Sequence, residues 1–140
     1  MKLITRDTDY ALRSLCLIAR DKGKLHSTIG LSRYLGIPRP FLRKILQLLS
    51  KKGILKSYRG NSGGFILSRD PRKILLTDLI KIFQGPFILN ECSLKKHPCP
   101  NIKKCVLRRR ISKIEGYVLK ELKGITVACL LKAGRRNKGG

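Results

Sequence analysis

Three segments with helical spacing of apolar residues, each ended by a glycine, occupy the first part of this 140-residue chain. Their bounds are residues 6–22 before Gly23, Ser27 or Thr28 to Gly36, and Pro38-Arg39-Pro40 to Gly53. A strand would alternate every second residue, so this spacing predicts three helices. The tight Gly-containing turn between the second and third predicts a helix-turn-helix.

Two short strands are predicted next, at residues 54–59 and 65–68, and they flank Gly60-Asn61-Ser62-Gly63-Gly64. Glycine permits a positive φ and a close approach of the backbone to a partner. A hairpin directly after a helix-turn-helix is a wing. We therefore expect a mainly α fold with a small β-hairpin wing, and a winged helix-turn-helix DNA-binding domain at residues 1–84.

The charge of the chain is strongly positive, since 32 Lys and Arg face 8 Asp and Glu for a net charge of +24. The 48 residues from Lys22 to Arg69 hold eleven basic side chains and no carboxylate. Such a surface suits a polyanion, because each neutralised phosphate releases a counterion. Eight carboxylates and two histidines form no coherent acid-base set, so we expect neither an enzyme nor a small-molecule substrate.

Duplex DNA is the expected partner, because a helix-turn-helix places its second helix in the major groove. In this arrangement the first turns of the third helix meet base edges, Arg59 enters the minor groove, and the start of the second helix and the wing amides bind phosphates. The predicted DNA-binding residues are Ser27, Thr28, Arg39, Phe41, Arg43, Lys44, Arg59, Asn61, Ser62, Gly63 and Gly64. A structural RNA-binding protein remains the alternative.

The second half predicts a short helix from a Thr77 cap to Phe83, and then a long basic helix from about residue 101 to 123. The long helix carries one narrow apolar stripe: Leu107, Ile111, Ile114, Val118, Leu122 and Ile125. A single stripe can pack on its own domain, but on a long cationic helix it favours pairing with a second copy. A homodimer also matches a palindromic operator. We assign dimerisation to residues 106–131, with Thr126 capping a final turn, and a disordered basic tail to residues 132–140.

Five cysteines occur, and three of them, Cys92, Cys99 and Cys105, lie within the loop predicted at residues 85–105 with spacing C-x6-C-x5-C. Thiolates suit an iron-sulfur cluster or zinc, and this spacing favours a cluster over a zinc knuckle. The fourth ligand is open among His97, Glu91, a distant carboxylate, an outside thiol and a small molecule. Cys16 and Cys129 lie in apolar helical runs and are expected in the core.

Several segments together resemble the Rrf2 family of bacterial winged-helix regulators. They are Met1-Lys2-Leu3, residues 8–15, 42–53, 59–65 and 122–127, and the three spaced cysteines. The resemblance implies a homodimeric DNA-binding repressor whose iron-sulfur cluster controls DNA affinity.

Within this family the segment from Thr8 to Leu15 is most similar to the nitric-oxide sensors. In those members an Asp at the place of Asp9 completes a [4Fe-4S] site across the dimer. Members with [2Fe-2S] carry His where this chain has Arg108, so [4Fe-4S] is favoured over [2Fe-2S]. By its residue type alone, Asp9 could instead serve only the helix dipole. A zinc-tethered or cluster-free regulator of the same fold is the other alternative.

No apolar run approaches the roughly 20 residues of a membrane span. The first residues, Met1 to Arg6, hold no apolar signal core. The sequence therefore predicts a cytoplasmic protein without membrane contact.

Overall fold

A mainly helical architecture with one β-hairpin is seen in the computed structural model, which describes residues 2–89 and 104–138, with side chains as far as residue 133. The elements are α1 Arg6–Arg20, α2 Thr28–Leu35, α3 Arg39–Lys51, β1 Leu55–Tyr58, β2 Gly64–Leu67, a 3-10 turn Pro71–Lys73, α4 Leu76–Gln84, α5 Val106–Lys123 and α6 Val127–Lys138. The predicted fold class is confirmed.

The helix-turn-helix is formed by α2 and α3, and side chains at the turn hold it together. Ser27, rather than Thr28, caps α2, since its Oγ accepts the Gly30 N–H at 3.0 Å. Gly36 ends α2 in the left-handed conformation at φ +69°. The Ser32 hydroxyl donates to the Ile37 carbonyl at 2.6 Å, which fixes the turn before α3.

The hairpin pairs β1 with β2 in antiparallel register, from Leu55 opposite Leu67 to Tyr58 opposite Gly64. On its other side β2 pairs with His26, which precedes α2. The His26 N–H donates to the Phe65 carbonyl at 3.0 Å, and the Phe65 N–H donates to the His26 carbonyl at 2.9 Å. The hairpin is thereby attached to the helix-turn-helix.

Helix α1 lies at the centre of the core. Its residues Ala11, Leu15 and Ile18 are fully buried and belong to one cluster with Leu46 and Leu49 of α3. Helix α6 also packs on α1. A second, smaller cluster of Leu76, Ile80 and Leu122 joins α4 to α5. Movement of α1 would therefore reach α3, α4 and α6.

The predicted cap of α4 is wrong, because α4 begins at Leu76 and Thr77 lies inside its first turn. A backbone bridge between Leu75 and Thr126 sets this start: the Leu76 N–H donates to the Ile125 carbonyl at 3.0 Å. Such a pairing is tertiary, so no local pattern predicts it.

The predicted end of the chain is also corrected. Thr126 caps the last helix as expected, with its Oγ1 accepting the Cys129 N–H at 3.0 Å. However, α6 continues to Lys138, so residues 132–138 are helical rather than a disordered tail. Lys, Ala and Arg, which dominate this stretch, are good helix formers and outweigh the single Gly134.

Among the residues that the structure describes, no helix has the length and apolar character needed to cross a membrane.

Candidate nucleic-acid interface

The third helix buries one face and exposes the other. Leu42, Ile45, Leu46 and Leu49 are buried in the core, which fixes the helix in place. The predicted contact residues Arg39, Arg43 and Lys44 are all exposed, as is Phe41, at 43%. A rigid backbone thus carries an outward row of cations, which is the arrangement a major-groove helix requires.

A cleft of about 520 Å³ lies between this helix and the wing. Thr28 of α2, Arg43 of α3 and Arg59 of the hairpin line it together, although the sequence separates them widely. Gln47 also lines this cleft, and sequence reasoning missed it. Its position, four residues after Arg43 on the same helix face, could have indicated it, since a glutamine amide can read an adenine edge in the major groove.

The wing tip differs in part from expectation. Asn61 and Ser62 are exposed, as a contacting tip requires. The Gly63 N–H, in contrast, donates to the Gly60 carbonyl at 3.0 Å inside the turn. A Cβ on Gly63 would collide with the Tyr58 carbonyl, and one on Gly64 would lie 2.6 Å from the His26 carbonyl oxygen. Neither position has room for a side chain, so both must be glycine. Their phosphate-binding role stays a prediction.

Ser27 and Thr28 occupy the start of α2, on the side of the predicted phosphate contacts. The Ser27 oxygen accepts the capping bond from Gly30, which leaves its O–H proton available to donate. A hydroxyl and the free amides of a helix N-terminus are both suited to a phosphate.

Arg6 of α1 is a cation that sequence reasoning missed at this surface. Its guanidinium carbon lies 4.7 Å from the centre of the Phe41 ring, within the range of a cation–π contact. The Arg6 side chain is 60% exposed. The two residues are 35 positions apart, so only the tertiary structure reveals the pair.

The predicted cluster ligands fall in two groups. Cys92 and Cys99, like the alternatives Glu91 and His97, lie outside the described residues. Cys105 is half-buried at the N-cap position of α5, with a free thiol that makes no capping bond. Asp9 lies in the first turn of α1, partly exposed, and its Oδ2 is 2.9 Å from Arg13 Nε. Within residues 2–89 and 104–133, no three His, Cys, Asp or Glu side chains form a metal-binding group.

The two cysteines assigned to the core behave differently. Cys16 is half-buried against the core, and burial raises the pKa of its thiol. Cys129 is exposed, so its assignment to the core was wrong. Val127 and Leu131 face the core from α6, and a residue two positions from each lies on the opposite side of the helix.

Comparison with known proteins identifies the family. The family described as "Rrf2: Iron-dependent Transcriptional regulator" matches residues 4–133. The chain belongs to the Rrf2 family. A candidate HTH-type transcriptional regulator of Aquifex aeolicus (strain VF5) is 31% identical over 124 residues, which cover 87% of this chain and 86% of that protein. Membership of Rrf2 makes this chain a transcriptional regulator with a DNA-binding winged helix, and not an enzyme.

Two solved structures resemble this Rrf2 chain over nearly its whole length. The IscR structure of T. potens has a TM-score of 0.74 at 25% identity and covers 96% of this chain and 88% of its own. CymR, the global cysteine regulator of B. subtilis, has a TM-score of 0.75 at 24% identity and covers 95% and 98%. The second likeness shows the shared fold alone.

Proposed function

We propose that this Rrf2 chain is a homodimeric repressor in the cytoplasm whose affinity for a palindromic operator depends on an iron-sulfur cluster, [4Fe-4S] rather than [2Fe-2S]. The observation that carries the DNA-binding part is the cleft that Arg43 and Arg59 line together within a 48-residue stretch free of carboxylates. Arg43 from the helix would enter the major groove of the DNA, and Arg59 from the wing would enter the adjacent minor groove of the same duplex.

The surface of α5 supports a homodimer. Leu107, Ile114 and Tyr117 are 65%, 54% and 69% exposed, whereas Leu122 near the end of the same helix is buried on α4. Large apolar side chains in a row along one helix are costly in water, and pairing with the same face of a second copy removes them from it. The two recognition helices would then face successive half-sites of a palindrome.

The donor set supports a cluster at the start of α5. Cys92, Cys99 and Cys105 would hold it, and Asp9 of the partner subunit would supply the fourth ligand. The described donors fit this role, because the Cys105 thiol makes no capping bond and the Asp9 carboxylate is partly exposed. When bound, such a cluster supplies iron that reacts with nitric oxide or oxidants. To bind the iron, the Asp9 carboxylate would have to give up its ion pair with Arg13.

The experiment that tests this proposal is purification without oxygen, followed by measurement of iron and sulfide per subunit and of the absorption spectrum. Nitric oxide is then titrated while retardation of a DNA duplex is followed. We expect a coloured protein whose DNA affinity falls as its cluster is lost. Asp9→Ala should alter the cluster and its sensitivity, whereas Asp7→Ala, a carboxylate in the same helical turn, should not.

Three results would contradict the proposal. A colourless protein that contains zinc would favour a zinc-tethered regulator, and a metal-free protein with unchanged operator affinity would favour a cluster-free one. A preference for structured RNA over duplex DNA would contradict recognition of a DNA operator. If the dimer neutralises about eight phosphates, log K should fall with log salt at a slope near −7.

A further inference from the structure

The side chain of Gln84, the last residue of α4, holds the beginning of α1. Its Oε1 accepts the Thr5 N–H at 3.0 Å and the Thr8 hydroxyl at 2.7 Å, and its Nε2 donates to the Leu3 carbonyl at 3.2 Å. Thr8 is fully buried. One amide group thus satisfies three polar groups of a single segment more than 70 positions away in the chain.

The same segment contacts the recognition helix on its other side. Arg6 directly follows Thr5, and its guanidinium lies over the Phe41 ring in the first turn of α3. Because Thr5 and Thr8 are both tied to Gln84, the backbone that carries Arg6 has little freedom to shift relative to Phe41.

The first turn of α3 lacks a side-chain cap. Pro38 occupies its N-cap and makes no side-chain capping bond, and Pro40 has no N–H to donate. Inside the protein, the start of the helix is anchored by the Ser32 bond to Ile37 and by the buried Leu42. On the exposed side, Arg6 stacks on Phe41. A contact from α1 is therefore well placed to set the orientation of the residues that meet DNA.

We propose that Gln84 is a positioning residue for DNA recognition, which acts by holding the first turn of α1 so that Arg6 stays on Phe41 and orients the start of α3. The inference rests on the proposed DNA-binding role of α3 and does not require a cluster. It assigns a positioning role in DNA recognition to a residue outside both the helix-turn-helix and the wing.

The test is a double-mutant cycle on the full chain, with a DNA duplex selected by the wild-type protein from a random pool. Gln84→Met keeps the length of the side chain and removes its hydrogen bonds. We expect it to weaken DNA binding about fivefold in the wild-type background and to have almost no effect in an Arg6→Ala background. Equal losses in the two backgrounds, or no loss in either, would overturn the inference.

Matched variants separate positioning from loss of stability. Val127→Ala shortens a fully buried side chain of α6, which takes no part in the contacts among Gln84, the start of α1 and Phe41. It should lower the unfolding midpoint without changing DNA affinity, and an equal loss of affinity here would contradict positioning. Gln84→Glu keeps the acceptor for Thr5 and Thr8 but loses the donor to the Leu3 carbonyl, so it should restore only part of the affinity. If Gln84→Met does not fold, Thr8→Val removes one of the same bonds and should act in the same direction in the same cycle.

The proposed function and this inference fail in different ways. A wild-type chain that binds no duplex would overturn the proposed function and the inference with it. A wild-type chain that binds its selected duplex while the Gln84 and Arg6 effects simply add would overturn only the inference.

Discussion

Two glycines in the wing, Gly63 and Gly64, occupy positions that have no room for a larger side chain. The sequence indicates a glycine-rich tip in which positive φ is useful, but only Gly60 there adopts it, at φ +107°. Gly63 and Gly64 are needed because a Cβ would meet backbone atoms. A local pattern can indicate flexibility, but it cannot show which atoms come close.

Gly64→Ala should therefore destabilise the protein, because the new Cβ would lie 2.6 Å from the His26 carbonyl and disturb its pairing with Phe65. We expect the free energy of unfolding to fall by about 2 kcal/mol, as for other steric overpacking. Urea unfolding measures it. Gly116→Ala on α5, where nothing lies within 4 Å of the new Cβ, is the control and should stabilise the helix by about 0.5–1 kcal/mol. Equal effects of the two substitutions would contradict the steric account.

The pH dependence of stability should report on His26, whose side chain is only 11% exposed and lies beside the wing. Burial lowers the pKa of His26 below its ordinary 6.5, assisted by Lys24 and Arg20 and opposed by Asp21, whose carboxylate lies 3.7 Å from Nε2. The unfolded chain then takes up a proton before the folded one, so stability should fall as the pH drops below about 6.5.

His26→Gln removes this titration and serves as the comparison. The difference in unfolding free energy between the wild type and His26→Gln should become smaller, or reverse, as the pH is lowered from 7 to 5. Parallel stability curves across that range would show that His26 does not titrate differently in the folded and unfolded states.

The helix ends show which structural features a local sequence pattern predicts and which it does not. Glycine ended α2 as predicted, and Ser27 and Thr126 cap α2 and α6 through their own side chains. In contrast, α4 starts where its backbone pairs with the segment before α6, so Thr77 has no capping role. The caps at Ser27 and Thr126 were predictable from local side chains, whereas Thr5 precedes α1 without a side-chain capping bond. The start of α4 depends on distant backbone and was not predictable.

Ser27→Ala should cost about 1 kcal/mol of unfolding free energy, because the Gly30 N–H loses its partner. Ser27→Asp keeps the acceptor and should restore stability. It should nevertheless weaken DNA binding, because a carboxylate replaces a hydroxyl at the helix start that we propose faces a phosphate. Thermal unfolding and DNA retardation measure the two effects. Thr28→Ala, one position further, is the control for stability and should change it much less. A Ser27→Asp protein that bound DNA normally would remove this position from the interface.

At the scale of the whole molecule, two helices set the organisation. Helix α1 is enclosed by α3, α4 and α6, so it links the end of α4 with the recognition helix. Helix α5 has one end packed on α4 and the other exposing large apolar side chains. The first arrangement couples parts of one chain, and the second predicts contact with another chain.

Ile114→Glu should therefore convert the proposed dimer to a monomer, because it would bury a carboxylate in an apolar interface. Sedimentation velocity measures the mass, and DNA retardation should show the loss of cooperative half-site binding. Ser112→Glu adds the same charge to an exposed position about 200° away around the helix and should leave the dimer intact. A monomeric wild type, or equal effects of both substitutions, would contradict pairing through α5.

The sequence by itself determined the order of the elements, the wing and the cationic stretch from Lys22 to Arg69, because helical period, glycine positions and charge are local properties of the chain. It also indicated the family through motifs spread over its length. Tertiary structure decided that Arg43 and Arg59 share one cleft, that Arg6 rests on Phe41, and that Gln84 holds α1. Those relations join residues far apart in sequence, and their distances depend on how the helices pack rather than on any local preference.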